Sequence, residues 1–174
     1  MGVDLVAARR RADDAVSTTT GAHLSDALTT RVRLAIAQGE PEQAERDAHE
    51  ALARAADLGA QLFIPDILEC LAVLAREAGG HREAARLFGA AEAVRQRIGS
   101  VRFKIYDAGY EASLAALRDA MDEKDFESAW AEGARSSSEA AIAYTQRAAL
   151  DVSALQAAGH RSHRRSARWC GSSR

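Results

Sequence analysis

Ala37–Arg46, AQGEPEQAER, and Glu77–Arg86, EAGGHREAAR, lie forty residues apart, and their likeness decides the fold. The correspondence extends outward on both sides. Leu34, Ala35, Gly39, Ala44, Arg46, Ala51, Leu58 and Gly59 become Leu74, Ala75, Gly79, Ala84, Arg86, Ala91, Ile98 and Gly99. A fixed period of this length is the mark of an internal repeat. Within the first copy, Gly39 ends one helical run, Pro41 suits a first helical position and Gly59 suits a C-terminal cap. Each repeat therefore reads as two helices joined by a tight turn. In the second helix of the first pair, Ala44, Ala48, Ala51, Leu52 and Ala55 fall on one narrow face of small residues. Such a face lets two helix backbones approach closely.

Helix pairs of about 34 to 47 residues with small residues at the crossing are the unit of tetratricopeptide-like arrays, because one pair cannot bury its apolar face alone. Further elements must cover each end. Upstream, residues 3 to 17 read as the second helix of a pair, so the array is expected to start in mid-repeat. Downstream, Tyr110, Leu114, Leu117 and Met121 form a helical stripe, and Phe126 and Trp130 stand one turn apart; these large side chains can close the array. A last helix is expected from Ser138 to Arg147, with Ser136 to Ser138 offering cap oxygens and Glu139 at the positive end of the dipole. The predicted fold is all-α: tetratricopeptide-like antiparallel helix pairs, stacked as a short right-handed solenoid over residues 1 to 147, followed by a disordered basic tail from 148 to 174.

Composition agrees with helix. The 174 residues are 47% hydrophobic, much of it Ala, with 5% aromatic and two Pro. The net charge of −2 conceals an asymmetry: residues 147 to 174 hold six Arg and one acid, which leaves the preceding body near −7 and the tail near +5. An anionic body does not suit a DNA-binding surface. Two cysteines, Cys70 and Cys170, give no disulfide framework, and the start MGVDLVAARRRADD has no signal-peptide core. No apolar run approaches the roughly 20 residues that span a bilayer. The expected protein is soluble and cytoplasmic, with no membrane association.

No group of residues assembles an active site. His23, His49 and His81 fall one per helical segment and read as solvated or turn histidines; no H-E-x-x-H or paired cysteines accompany them. His160, His163 and Cys170 could in principle bind a metal, but the segment around them carries no recognisable fold. Ser136 to Ser138 follow Gly133 without a nucleophile elbow, and the glycine pairs sit at turns and not in a phosphate-binding loop. Cys70 reads as a small packing residue, and Glu69, Glu77, Asp122, Glu123 and Asp125 as solvated faces or turns. No catalytic, cofactor-binding or metal residue is assigned, no cofactor is expected, and the chain is not read as an enzyme.

From about Arg31 to Arg147 the chain resembles the C-terminal helical-repeat segment of large actinobacterial LuxR-type transcriptional regulators. The carrying stretches are QGEPEQAERDAHEALA at 38–53, IPDILECLAVLA at 64–75, HREAARLFGAAEAVRQRIGSVRF at 81–103, YDAGYEASLAALRDAM at 106–121 and FESAWAEGARSSSEAAIAYTQR at 126–147. The resemblance implies repeats that sense or relay a signal between an ATPase module and a terminal helix-turn-helix domain. Where that family has a linker and helix-turn-helix, this chain has the tail ending RSHRRSARWCGSSR. Read one base earlier with GC-rich codons, His160 to Arg174 can encode the opening of such a domain. The expectation is therefore a reading-frame change near Arg147 and a chain without its own ATPase and DNA-binding parts. On this reading the function is a non-catalytic signal-relay or protein-interaction segment, with a protein or peptide partner or self-association. Specific nucleic-acid binding is not expected, though five arginines with Trp169 could hold phosphates weakly. A free-standing peptide-binding scaffold and a non-functional gene remnant are the alternatives.

Overall fold

The computed structural model describes residues 4–137, 140–143 and 145. By contacts the chain divides into two units, residues 1–142 and 143–174, and the regular elements belong to the first. Its order is α1 (Leu5–Thr18), α2 (Ala22–Gln38), α3 (Pro41–Asp57), α4 (Ile64–Glu77), α5 (His81–Ile98), α6 (Asp107–Ala120) and α7 (Glu123–Arg135), with single 3-10 turns at Gln61–Phe63 and Lys104–Tyr106. All regular structure among the described residues is helical, as the sequence predicts. Residues 140–143 continue helical inside the span expected for a last helix, while 138–139 and the basic tail lie outside the described residues.

Local chemistry places the helix ends. Asp4 Oδ1 accepts the backbone N–H of Val6 and of Ala7, each at 3.1 Å, and so caps α1. Both prolines, Pro41 and Pro65, sit in the first turn of a helix, where the missing N–H has no intrahelical partner to lose. The repeated glycines stop the helices. At Gly39 and Gly79 φ is 72° and 82°, the left-handed region that a side chain resists, and the chain reverses through the same pair of hydrogen bonds: Gly39 N–H to Ile36 and Glu40 N–H to Ala35, then Gly79 N–H to Arg76 and Gly80 N–H to Ala75. Gly59 and Gly99 end α3 and α5 alike. Helix stops thus recur every twenty residues from 39 to 99.

Packing follows the small-residue stripe. Ala44, Ala48, Ala51, Leu52 and Ala55 of α3 are all fully buried, as are their repeat partners Ala84 and Ala91 of α5. The larger core side chains are Leu28 and Val32 of α2, Ile64, Ile67 and Leu68 of α4, and Phe88 and Val94 of α5. Each contributes about 1.5–3 kcal/mol by leaving water. Polar ties reinforce the pairs. Arg31 of α2 grips Asp47 of α3 with two hydrogen bonds of 2.7 Å, while Gln43 donates to the same carboxylate at 2.8 Å. That hydrogen bond with Asp47 holds the Arg31 pKa above its ordinary value against the opposing effect of burial.

The third pair departs from the repeat. Helix α7 packs mainly on α5, and touches α6 only sparingly. The cause is a reciprocal approach of two backbones. A Cβ on Gly89 would stand 3.0 Å from the carbonyl carbon of Trp130 and closer still to its oxygen. One on Gly133 would stand 2.8 Å from the carbonyl carbon of Arg86, 2.9 Å from Ala90 N, and again closer to the oxygen. No side chain fits at either position. Phe126 and Ala129 of α7 are buried, and Trp130 packs partly buried against the same core.

Candidate functional site

Helices α2, α4 and α6 are neighbours, and the α5–α6 connection lies against them. Two hollows open along this side. One, of about 360 Å³, is lined by Arg33, Ile36, Cys70, Val73, Arg76, Phe88, Tyr110 and Ser113 among others. The second, of about 780 Å³, lies between α1 and α2 and is lined by Ala8, Arg11, Ala15, His23, Thr30 and Leu34 among others. Arg33, Ile105 and Tyr106 belong to both, so the hollows are two halves of one groove crossed by the turn at Lys104–Tyr106.

Ion pairs and stacked cations hold that turn in place. Glu69 of α4 is buried and receives Arg95 of α5 and Arg102 of the connection, the latter at 2.6 Å. Asp66, one turn earlier on α4, takes a second hydrogen bond from Arg95 at 2.6 Å and lies 3.7 Å from Arg33. The Arg33 guanidinium sits 3.7 Å over the Tyr106 ring, and that of Arg102 sits 3.4 Å over Tyr110. Tyr110 in turn meets Phe88 edge to face at 5.6 Å between centroids. Burial works against the Arg102 charge, but the hydrogen bond and proximity to Glu69 outweigh it and hold its pKa above the ordinary value. Burial raises the Tyr110 phenol, with Arg102 opposing, so both partners keep their usual charge states at neutral pH.

Several sequence expectations change here. Glu69 was expected on a solvated face; it is buried, because Arg95 and Arg102 converge on it from two other elements. A carboxylate without partners could not occupy that position. His49 lies mid-helix in α3 and is half buried, with Nδ1 enclosed and without a hydrogen bond; burial lowers its pKa. His81 opens α5 and His23 is exposed on α2. Cys70 is buried, its thiol pushed up to about 11 by burial, which fits a packing residue better than a nucleophile. Tyr110, placed by the sequence among the closing side chains, stacks under Arg102 at the groove instead. Among the described residues no three His, Cys, Asp or Glu side chains come together as a metal site; His160, His163, Cys170 and Trp169 lie outside them. No helix among the described residues is long and apolar enough to cross a membrane.

The groove residues were missed because their sequence signal is weak. Asp66 and Glu69 at i, i+3 do share a helix face, and that spacing could have marked them as a joint cation acceptor. Nothing local shows that Arg95 and Arg102 arrive there. A separate hollow of about 460 Å³ lies at α6–α7, where Arg118 stands 4.8 Å over Phe126 and Phe126 stacks against Trp130.

No protein-family model matches the chain, and no solved structure gives a significant match. Curated relatives do. Proteins named "Putative HTH-type transcriptional regulator" in Mycobacterium bovis (strain ATCC BAA-935 / AF2122/97) and in Mycobacterium tuberculosis (strain ATCC 25618 / H37Rv) are each 56% identical to it over 146 residues. The match takes in 84% of this chain and 17% of each relative, so the chain spans about a sixth of their length. The chain is thus related, over most of its length, to a short part of proteins named as transcriptional regulators of the helix-turn-helix type.

Proposed function

We propose that this chain is a non-catalytic signal-relay and protein-interaction segment of the kind found in LuxR-type transcriptional regulators, built as a short tetratricopeptide-like stack. The groove along α2, α4 and α6 is where a protein or peptide partner engages. The carrying observation is the state of the ionisable groups there. Glu69 and Asp66 are held by Arg95, Arg102 and Arg33, so these two carboxylates are ion-paired and not poised as general bases. Aromatic and aliphatic walls with a few fixed cations suit binding better than bond making. The similarity to named transcriptional regulators supports the regulatory setting.

The test has two parts. Used as bait, the chain should recover one defined partner, and Arg33→Ala combined with Tyr106→Ala should lose it while the circular dichroism spectrum stays helical. Identical recovery by both baits would refute the assignment of the groove. In fluorescence anisotropy, labelled duplex DNA should bind weakly and without sequence preference, and should be released at moderate salt. Sequence-selective binding that survives such salt would overturn the non-DNA-binding role.

A further inference from the structure

One face of α7 joins aromatic rings to free carboxylates. Glu123, Phe126, Glu127 and Trp130 stand at i, i+3, i+4 and i+7, so a single stripe of the helix carries all four. With Arg118 of α6 they line the hollow of about 460 Å³, which is within the size range of ligand pockets and shares no residue with the groove. Phe126 is buried, and the partly buried Trp130 stacks beside it at 5.7 Å between centroids. Glu123 and Glu127 are exposed, and among the described residues neither joins an ion pair. Elsewhere Glu40, Asp47, Glu50, Glu69 and Glu132 each hold an arginine. Two like charges one turn apart destabilise a helix unless a cation lies between them. The positive end of the α7 dipole accounts for Glu123, in the first turn, but not for Glu127 in the second. Arg118 is the hollow's own cation, yet its guanidinium turns to the Phe126 ring, 4.8 Å from the centroid, and leaves both carboxylates unengaged.

We propose that this hollow seats an arginine side chain of a partner protein. A guanidinium is a flat, forked cation: its plane stacks on an aromatic ring while its edge donates paired hydrogen bonds to a carboxylate. The hollow offers both halves of that contact, the Trp130 ring and the carboxylates of Glu123 and Glu127, and Arg118 over Phe126 makes the same stacking within the chain. A compact ammonium would use the carboxylates but lacks the fork and the flat face, so lysine fits less well. The surroundings favour a polypeptide as the bearer of the guanidinium. Residues 118 to 127 hold five acids, Asp119, Asp122, Glu123, Asp125 and Glu127, against Arg118 and Lys124, and all five acids are exposed. Only Glu123 and Glu127 line the hollow. The negative charge thus extends beyond what one small cation would meet, and it suits a segment with further basic residues around the seated arginine.

The experiment is fluorescence anisotropy of a labelled peptide of alternating arginine and glycine, titrated with the full chain. The peptide should bind saturably, and its lysine counterpart, of the same charge, should bind severalfold more weakly. Glu123→Gln combined with Glu127→Gln should weaken binding on the order of tenfold, as the loss of a charge-assisted contact implies. The thermal midpoint of that variant should stay near the wild type's, because both side chains are exposed. Glu111→Gln, an exposed acid of α6 that lines neither the hollow nor the groove, should leave binding unchanged. Equal affinity for the arginine and lysine peptides would overturn the proposal, because charge alone would then account for binding. So would no binding at all, or a double variant that binds as the wild type does. Free argininamide binding as tightly as the peptide would overturn the polypeptide partner, since the seat would then serve a small molecule. No result here depends on what the groove binds.

Discussion

Gly133→Ala is the sharpest test of how the third helix pair closes. The added Cβ would lie 2.8 Å from the Arg86 carbonyl carbon and 2.9 Å from Ala90 N, against ordinary contact near 3.4 Å and beyond. All of these atoms are backbone, so no rotamer change can relieve the clash. Helices α5 and α7 must part by on the order of 1 Å. A gap of about 0.5–1 Å forfeits roughly a quarter to a half of the dispersion attraction across it. The contact it opens is the largest between any two helices described, with Phe126 and Ala129 buried in it. Overpacking a core costs about 1–3 kcal/mol where side chains can adapt, and backbone adapts less. Against this, Ala in a helix interior is favoured over Gly by about 1 kcal/mol. The net expectation is a loss of about 2 kcal/mol or more.

The assay is urea and thermal unfolding of the 174-residue chain followed by circular dichroism. At about 2–4 °C per kcal/mol for this size, the midpoint should fall by roughly 4–8 °C. Gly89→Ala, facing the Trp130 carbonyl, should behave in the same way. Gly109→Ala is the internal control. Gly109 lies in α6 with open space around its missing Cβ, so alanine there should stabilise by up to about 1 kcal/mol. If Gly133→Ala stabilised as Gly109→Ala does, the two helices would not cross at these glycines.

Three further outcomes are expected. Glu69→Ala leaves the buried Arg95 with only Asp66, and removal of one member of a buried ion pair costs about 3–5 kcal/mol; chemical denaturation should show a loss near the lower figure, and a loss within error of zero would contradict the burial of that charge. Gly79→Ala forces an L side chain to φ 82° and should cost about 1 kcal/mol in the same assay, with no loss if the turn differs. His49 carries a pH signature. Its folded pKa lies below the unfolded 6.5, so the stability it contributes is present above pH 6.5 and is lost as pH falls through the folded value. His49→Gln should flatten the decline in stability just below pH 6.5, before carboxylates titrate, and an unaltered slope would show that the imidazole is not shielded.

The sequence by itself determined the helices and where they stop. Glycine at 39, 59, 79 and 99 and proline at 41 and 65 act through their own backbone, and the alanine spacing of α3 names the buried face whatever lies across from it. These are short-range effects, complete within one turn of helix. Only the tertiary structure decided the fate of side chains whose partners are distant. Glu69 has the same local pattern as a solvated glutamate, and it is buried only because Arg95 and Arg102 meet it from 26 and 33 residues away. Arg102 is drawn inward onto that carboxylate while the adjacent Phe103 stays exposed. Gly89 and Gly133 look like ordinary helix-weakening residues until the two backbones cross there. A charge or a close approach depends on what arrives from elsewhere in the chain, and no local period encodes that.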